Sequence, residues 1–271
     1  MRSQLEKCEE FSLLHKQDQA FIIPNPWDIG SARLLQGLGY KALATTSSGL
    51  AYTLGRADGY VTLEETLTHC TELAKSTNIP ISADFENGFS DDPEMVAKNI
   101  LALVDTGVAG CSIEDFSTDK GTIYNFNLAV ERVQAAAEVV ANLELPFQLT
   151  ARAENLFRGV NDLDDTIKRL KAFESVGANV LYAPGITSLI QLKQVTMELQ
   201  APFNVLAPFI KGASVIEFSD AGAARISIGG ALNLAAVNPI LKAGNEMLLQ
   251  GTFDWANEAA PRNYVNELLT S

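Results

Sequence analysis

Asp84 and Glu86 stand two residues apart in the string ISADFENG, and Glu114 lies near the end of the string GCSIED. Read as strands, these strings alternate their side chains between two faces, so Asp84 and Glu86 share a face with Phe85 opposed, and Glu114 lies opposite Ile113. Adjacent strands then bring three carboxylates, or four with Asp115, to one place. Packed acids repel one another unless a proton or a cation intervenes, and an all-oxygen set without His or thiolate suits Mg²⁺ or Mn²⁺ rather than zinc. The other reading is that these acids cap helices or pair with arginine. In the string FQLTARAEN, Arg152 and Glu154 share a face. The planar guanidinium there either grips a substrate carboxylate in a two-pronged hydrogen bond or forms a structural pair with Glu154 or Glu114. The string TTSSGL places small hydroxyls ahead of Gly49, where backbone N–H groups can approach an anion.

Other catalytic plans find fewer residues. His15 falls in an N-terminal helical stretch and His69 in a helical stretch after the second apolar run, so neither serves a Ser-His-Asp arrangement. The run NVLYAPG has no lysine for a Schiff base, and Lys211 is expected in solvent. Cys111 is out of phase with Glu114 and reads as a packed thiol. Gly229-Gly230 fits either a phosphate-binding turn or a plain one.

The elements that must position these residues are legible as eight short apolar runs: FIIPNPWD, ALATTSSG, ISADFENG, GCSIED, FQLTARAEN, NVLYAPG, FNVLAP and RISIGG. The runs read as apolar on both faces until their last residues, and each is followed by a stretch of helical period, as buried parallel strands require. Repeated β-then-α predicts a (β/α)8 TIM-type barrel, in which reacting groups come from the C-terminal ends of strands. A doubly wound sheet lacks its usual support, since no G-x-G-x-x-G or P-loop string occurs. Thr62 with Glu65 and Ser214 with Glu217 predict capping boxes, and Asp92-Pro93 predicts an N-cap with proline behind it. Gly39, Gly107, Gly177 and Gly222 predict helix stops. Two helical segments follow the last strand, at 232–250 and 254–269, one more than closure needs, so the last is expected to pack on a neighbouring subunit. No linker or repeat divides residues 1–271, which predicts a single domain.

The chain has 271 residues, 47% hydrophobic and 20% charged, with a net charge of −13. That balance excludes disorder and argues against a nucleic-acid partner or an anionic membrane surface. Three widely spaced cysteines form neither a disulfide framework nor a zinc pattern, which fits a reducing cytoplasm. The N-terminal stretch has no apolar signal core, and no apolar run approaches the roughly 18 residues of a membrane span.

The strings TTSSGL, ADFENGF, GCSIED and LTARAE resemble the phosphoenolpyruvate mutase/isocitrate lyase superfamily, over about Phe21 to Gly251. The resemblance implies a (β/α)8 barrel whose eighth helix is exchanged between subunits of a homodimer or homotetramer, which would account for the surplus helix. It implies Mg²⁺ against Asp84, Glu86 and Glu114, partly through water. Ser48, Gly49 and Leu50 would line the carboxylate of a small anionic substrate, Arg152 would contact it, and Asp58 corresponds to the family's aspartate after the second strand. The implied chemistry makes or breaks a C–C or P–C bond beside a 2-oxo acid, through an enolate whose charge the ion stabilises.

Three departures bear on the substrate. The loop DFSTDKGTIYNF lacks the lyases' Lys-x-Cys-Gly-His string. It has Lys120, as the phosphonate-forming mutases do, but Asn125 comes late and no serine follows. Tyr182 stands where relatives often carry His or Glu further on, in position to meet substrate. The expectation is therefore a Mg²⁺-dependent lyase of 2-oxo acids or hydroxy-polycarboxylates. A phosphonomutase or phosphonopyruvate hydrolase, with Lys120 as its catalytic lysine, and a weakly catalytic 2-oxo acid binder are the alternatives. The loop from Asp115 to Phe126 is expected to close over substrate with Tyr124 as a contact.

Overall fold

The computed structural model describes residues 2–270. Eight parallel strands form one sheet: β1 (Phe21–Ile23), β2 (Leu43–Ala44), β3 (Ile81–Asp84), β4 (Gly110–Glu114), β5 (Gln148–Arg152), β6 (Val180–Tyr182), β7 (Phe203–Leu206) and β8 (Arg225–Ser227). Its order is β1-β8-β7-β6-β5-β4-β3-β2, and the Ala44 N–H donating to the Pro24 carbonyl at 3.0 Å joins the two ends. This is the (β/α)8 barrel that the run pattern predicts. Helix α1 (Gln4–Leu14) precedes it. The connections carry α2 (Ile29–Gly37), α3 (Ser47–Thr53), α4 (Leu63–Ser76), α5 (Pro93–Val104), α6 (Phe126–Ala141), α7 (Leu163–Ser175), α8 (Leu189–Thr196) and α9 (Val215–Asp220), and α10 (Ala231–Gln250) and α11 (Arg262–Thr270) follow.

Local chemistry sets most boundaries. Thr62 with Glu65 and Ser214 with Glu217 make reciprocal capping boxes, and Asp92 accepts from the Glu94 N–H with Pro93 at the first helical position. Gly39, Gly107, Gly177 and Gly222 all have positive φ, the left-handed geometry that turns a helix end back toward a strand. The second surplus helix is shorter than the segment 254–269. Pro261 lacks an N–H and disfavours helical backbone at the residue before it, so Asp254–Glu258 form only a 3₁₀ turn and α11 starts at Arg262.

The strands differ from the expectation in one respect: they are not apolar on both faces. The outward phase, with Ile81, Ala83, Cys111, Ile113, Leu149 and Ala151, belongs to the main core under the helices. The inward phase is polar well below the mouth, with Ser82, Thr150, Asn204 and Arg225 all buried. Branched apolar residues usually fill a barrel interior. Here Arg225 donates only to neutral acceptors: Asn204 Oδ1 at 2.8 Å, Thr150 Oγ1 at 3.0 Å and His15 Nε2 at 3.3 Å.

Helix α1 packs Phe11 against Phe21 and His15, covering the N-terminal end of the barrel. His15 Nδ1 lies 2.8 Å from the Phe11 carbonyl and so carries the proton, leaving Nε2 to accept from Arg225. Burial and the Arg225 charge push the His15 pKa from 6.5 down to about 3. Because only the unfolded state takes up a proton between these values, His15 contributes stability above pH 6.5 that is lost as pH falls toward 3. The raised acids described below act in the opposite direction, so the clean measurement is a difference. Between pH 7 and 5 the stability gap between the wild type and His15→Gln, from urea unfolding, should shrink by about 2 kcal/mol. A gap independent of pH would show that the fold leaves the His15 pKa at its free value, and a gap that widens toward pH 5 would show that His15 is charged in the fold.

Helix α10 leaves the barrel. Asn233 is its one buried residue among those described, while Leu234, Ile240, Leu241, Leu248 and Leu249 are exposed. Helix α11 then returns to pack on α2. No helix among the described residues is long and apolar enough to cross a membrane.

Candidate active site

A cavity of ≈ 210 Å³ opens at the C-terminal ends of the strands and reaches down to Asn204 and Arg225. That volume suits a small organic acid rather than a nucleotide or a peptide. Asp58, Asp84, Glu86, Glu114, Arg152 and Tyr182 all line it.

Asp84 ends β3 on the inward phase. Its Oδ2 accepts from the Ser47 N–H at 3.0 Å, and its Oδ1 accepts from Arg152 Nη1 at 2.8 Å. Glu86 reaches the same cavity by a different route from the strand alternation read in the sequence. The strand stops at Asp84, and Glu86 turns in with φ 45°, a conformation held by the Glu114 N–H donating to its carbonyl at 2.8 Å. Its Oε1 is buried with no hydrogen-bond partner. Burial, reinforced by the charges of Asp84 and Asp58, pushes the Glu86 carboxyl up to about 7. Asp58 sits in the loop after α3, where Oδ1 accepts from Ser47 Oγ at 3.1 Å and from the Gly59 N–H at 3.1 Å. Burial and Asp84 raise its pKa as well.

Arg152 lies among the acids. Nη1 bonds Asp84, Nε and Nη2 bond Glu154 Oε1 at 3.0 and 2.7 Å, and Nη2 is 3.1 Å from Glu114 Oε2. The structural pairs weighed for this arginine are therefore both formed. Glu114 is also reached by Arg158 Nη2 at 3.4 Å; burial and the neighbouring Glu154 charge raise its pKa while the two guanidiniums pull it down. Asp115 does not join the cluster. Strand alternation turns it outward, where Oδ2 pairs with Arg169 at 3.0 Å and Oδ1 accepts from the Glu154 N–H at 2.7 Å.

The remaining expected residues divide. Ser48 and Tyr182 line the cavity, with Arg152 Cζ 5.1 Å from the Tyr182 ring centroid. Gly49 and Leu50 do not line it, because their N–H groups are used in the first turn of α3, donating to Thr46 Oγ1 and to the Thr46 carbonyl. Glycine at 49 answers to packing: a Cβ there would lie 2.6 Å from Thr46 Cγ2 and 2.8 Å from Trp27 Cβ. Lys120 stands outside the cavity, 64% exposed and paired with Asp91 at 2.6 Å. Phe116–Ser117 and Thr122–Ile123 form a short antiparallel hairpin beyond β4. Tyr124 is buried against Arg132 and bonded to Asp91 and Asn87, and it does not line the cavity.

Sequence reasoning missed Arg132, Arg158 and Arg225. Arg132 comes from the buried face of α6 and donates to the carbonyls of Glu114, Asn87 and Ser90, which fixes the ends of β3 and β4. Arg158 follows β5 by six residues, within the loops that supply barrel chemistry, and that position was a usable signal.

Among the described residues no group of three or more His, Cys, Asp or Glu stands ready to grip an ion, and Arg152 bridges Asp84 and Glu114. The donor set still fits a hard divalent cation. It is all oxygen, Glu86 has an unused buried oxygen, and burial together with the charges of Asp84 and Asp58 raises its pKa, a penalty that a bound cation would relieve.

A family model described as phosphoenolpyruvate phosphomutase matches residues 11–248. The crystal structure of a candidate lyase/mutase from Burkholderia cenocepacia J2315 superposes with a TM-score of 0.95 at 43% identity, covering 99% of this chain and 97% of that one. The 2-methylisocitrate lyase of Escherichia coli K12 is 31% identical over 63% of this chain and 60% of its own length. Oxaloacetate decarboxylase 2 of Pseudomonas fluorescens Pf0-1 is 25% identical over 90% of this chain and 86% of its own.

Proposed function

The chain belongs to the phosphoenolpyruvate phosphomutase family, and from that premise we propose that it is a divalent-metal-dependent lyase. It would cleave a C–C bond beside the carbonyl or hydroxyl carbon of a small 2-oxo acid or hydroxy-polycarboxylate. The observation that carries this reading is the acid cluster of Asp58, Asp84, Glu86 and Glu114 around a cavity of ≈ 210 Å³, with Glu86 pushed up to about 7 by burial and its neighbours. The similarity to a 2-methylisocitrate lyase and an oxaloacetate decarboxylase supports it.

Asp84 and Glu86 would hold Mg²⁺ or Mn²⁺, with Glu114 behind them, and the ion would stabilise negative charge developing on the substrate's 2-oxo oxygen. The protein's own groups do the rest. Ser47 fixes Asp58 and Asp84 together, through its hydroxyl and its N–H. Asp58, with its raised pKa, is the group placed to hold or pass a proton. Arg152 keeps Asp84, Glu114 and Glu154 in register, and Tyr182 walls the cavity beside it. Lys120 is tied to Asp91 outside the cavity and takes no part, so the mutase reading loses the residue that suggested it. We further propose that the chain works as a homodimer or homotetramer through its exposed α10.

The test is release of pyruvate, glyoxylate or oxalate from malate-like, oxaloacetate-like and isocitrate-like compounds with Mg²⁺. Product should form, fall by about a thousandfold with a chelator and return with Mg²⁺ or Mn²⁺. Turnover indifferent to chelation would reject the metal role. Conversion of phosphonopyruvate alone would replace the lyase by a mutase or hydrolase.

A further inference from the structure

Three guanidiniums line the cavity: Arg225 lies buried at its floor, bonded to Asn204, Thr150 and His15, and the hydrogen bonds of the other two, Arg152 and Arg158, are spent differently. A guanidinium has five N–H donors. Arg152 donates three of them to carboxylates, Nε and one Nη2 hydrogen to Glu154 and one Nη1 hydrogen to Asp84, and its Nη2 also lies 3.1 Å from Glu114 Oε2 as an ion pair. Its side chain is 13% exposed. It is built into the wall, ion-paired to three carboxylates, with at most two donors outside those hydrogen bonds.

Arg158 is the opposite case. Its Nη2 reaches Glu114 Oε1 only at 3.4 Å, and its Nε lies 3.3 Å from Glu154 Oε2, an oxygen left without a hydrogen-bond partner. Its Nη1 has no acceptor among the described residues. The side chain is 34% exposed, lines the cavity, and lays its guanidinium over the Phe116 ring at 3.7 Å. Its backbone is fixed as well: the Arg158 N–H donates to the Glu154 carbonyl at 2.9 Å, and the adjacent Phe157 packs edge-on against Phe209. A planar cation stacked on an aromatic face, with one edge unspent at the rim of a cavity, is suited to take a carboxylate side-on.

We propose that Arg158 is the specificity-determining residue of this site. It would bind a second, distal acid group, so that the protein selects dicarboxylates over monocarboxylates with the same 2-oxo or 2-hydroxy acid head. The inference rests on the functional reading above and adds the residue that reads the far end of the substrate.

L-Malate and L-lactate differ only in the distal carboxylate, and both are stable enough for titration calorimetry with the full-length protein in Mg²⁺. The wild type should bind malate at least about tenfold more tightly than lactate, the range expected of a charge-assisted pair. Arg158→Gln should weaken malate by about tenfold and leave lactate within about twofold, while Arg158→Lys, which keeps the charge and loses the fork, should fall between. The half-exposed position makes both variants foldable, and unchanged unfolding temperatures would confirm it. Equal affinity of the wild type for the two acids, or equal weakening of both in Arg158→Gln, overturns the role of Arg158 while product release in the panel above leaves the lyase reading standing. Binding of neither acid, together with no turnover in that panel, overturns both.

Discussion

Replacing Arg152 with leucine is expected to lower product release by about a thousandfold and to cost about 3–5 kcal/mol of stability. The size of the effect follows from what the guanidinium holds. Glu154 has no side-chain exposure and Glu114 has 7%, and the substitution leaves both acids buried with only the long contacts to Arg158. Breaking one side of a buried ion pair strands the other charge, which costs more than the intact pair contributes. The partner variant separates structure from function. Arg152→Leu combined with Glu154→Gln removes one stranded charge and should recover a large part of the stability by urea unfolding, yet regain no activity, because Asp84 and Glu114 still lack their tie. Unfolding of Arg152→Leu at the wild-type midpoint would contradict this account of the cluster.

That arginine shows where sequence reading succeeds and where it stops. Strand phase alone places Asp84, Glu114 and Arg152 on one inward face, because a pleat permits only two directions. The pairings of Arg152 with Glu114 and Glu154 are legible as one of two alternatives, and both pairs are formed, at 3.1 and 2.7 Å. Glu86 reaches the cavity through a left-handed turn, which period-two counting does not describe, although the count lands on the right residue. Gly49 and Leu50 have N–H groups that look free in TTSSGL, but Thr46 caps α3 there and takes them up. Lys120 lies in the expected loop and faces away from the cavity because Asp91, from the loop after β3, captures it. Arg225 and Arg158 are invisible to an apolar-run count. The first is a polar residue inside a run whose outward phase is apolar, and the second lies in a loop with no period.

Light scattering should give a mass of two or four chains of 29.2 kDa, and Ile240→Glu with Leu241→Glu should return a single chain. The argument begins with an energetic mismatch. Helix α10 spans 20 residues, and Ile240, Leu241, Leu248 and Leu249 along it are exposed, Leu248 to 83%. A helix standing in water owes its stability to packing of an apolar face, and this one packs on no strand or helix of its own barrel beyond slight contacts. An exposed apolar stretch of this length marks an interaction surface. The chain also limits the options, because α11 returns to α2 and so ties the arm at both ends. In a barrel of eight helices the place after β8 lies between α9 and α2, where Ile216 and Ile29 remain exposed. A second copy can fill that place with its own α10 and offer the same vacancy in return, which is the self-complementary arrangement of a two-fold dimer. Two glutamates in the middle of α10 would have to be buried unpaired in such an interface, so the variant should dissociate and unfold at a lower temperature that no longer depends on protein concentration. A wild type that stays a single chain at micromolar concentration would mean that α10 folds back onto its own barrel in solution.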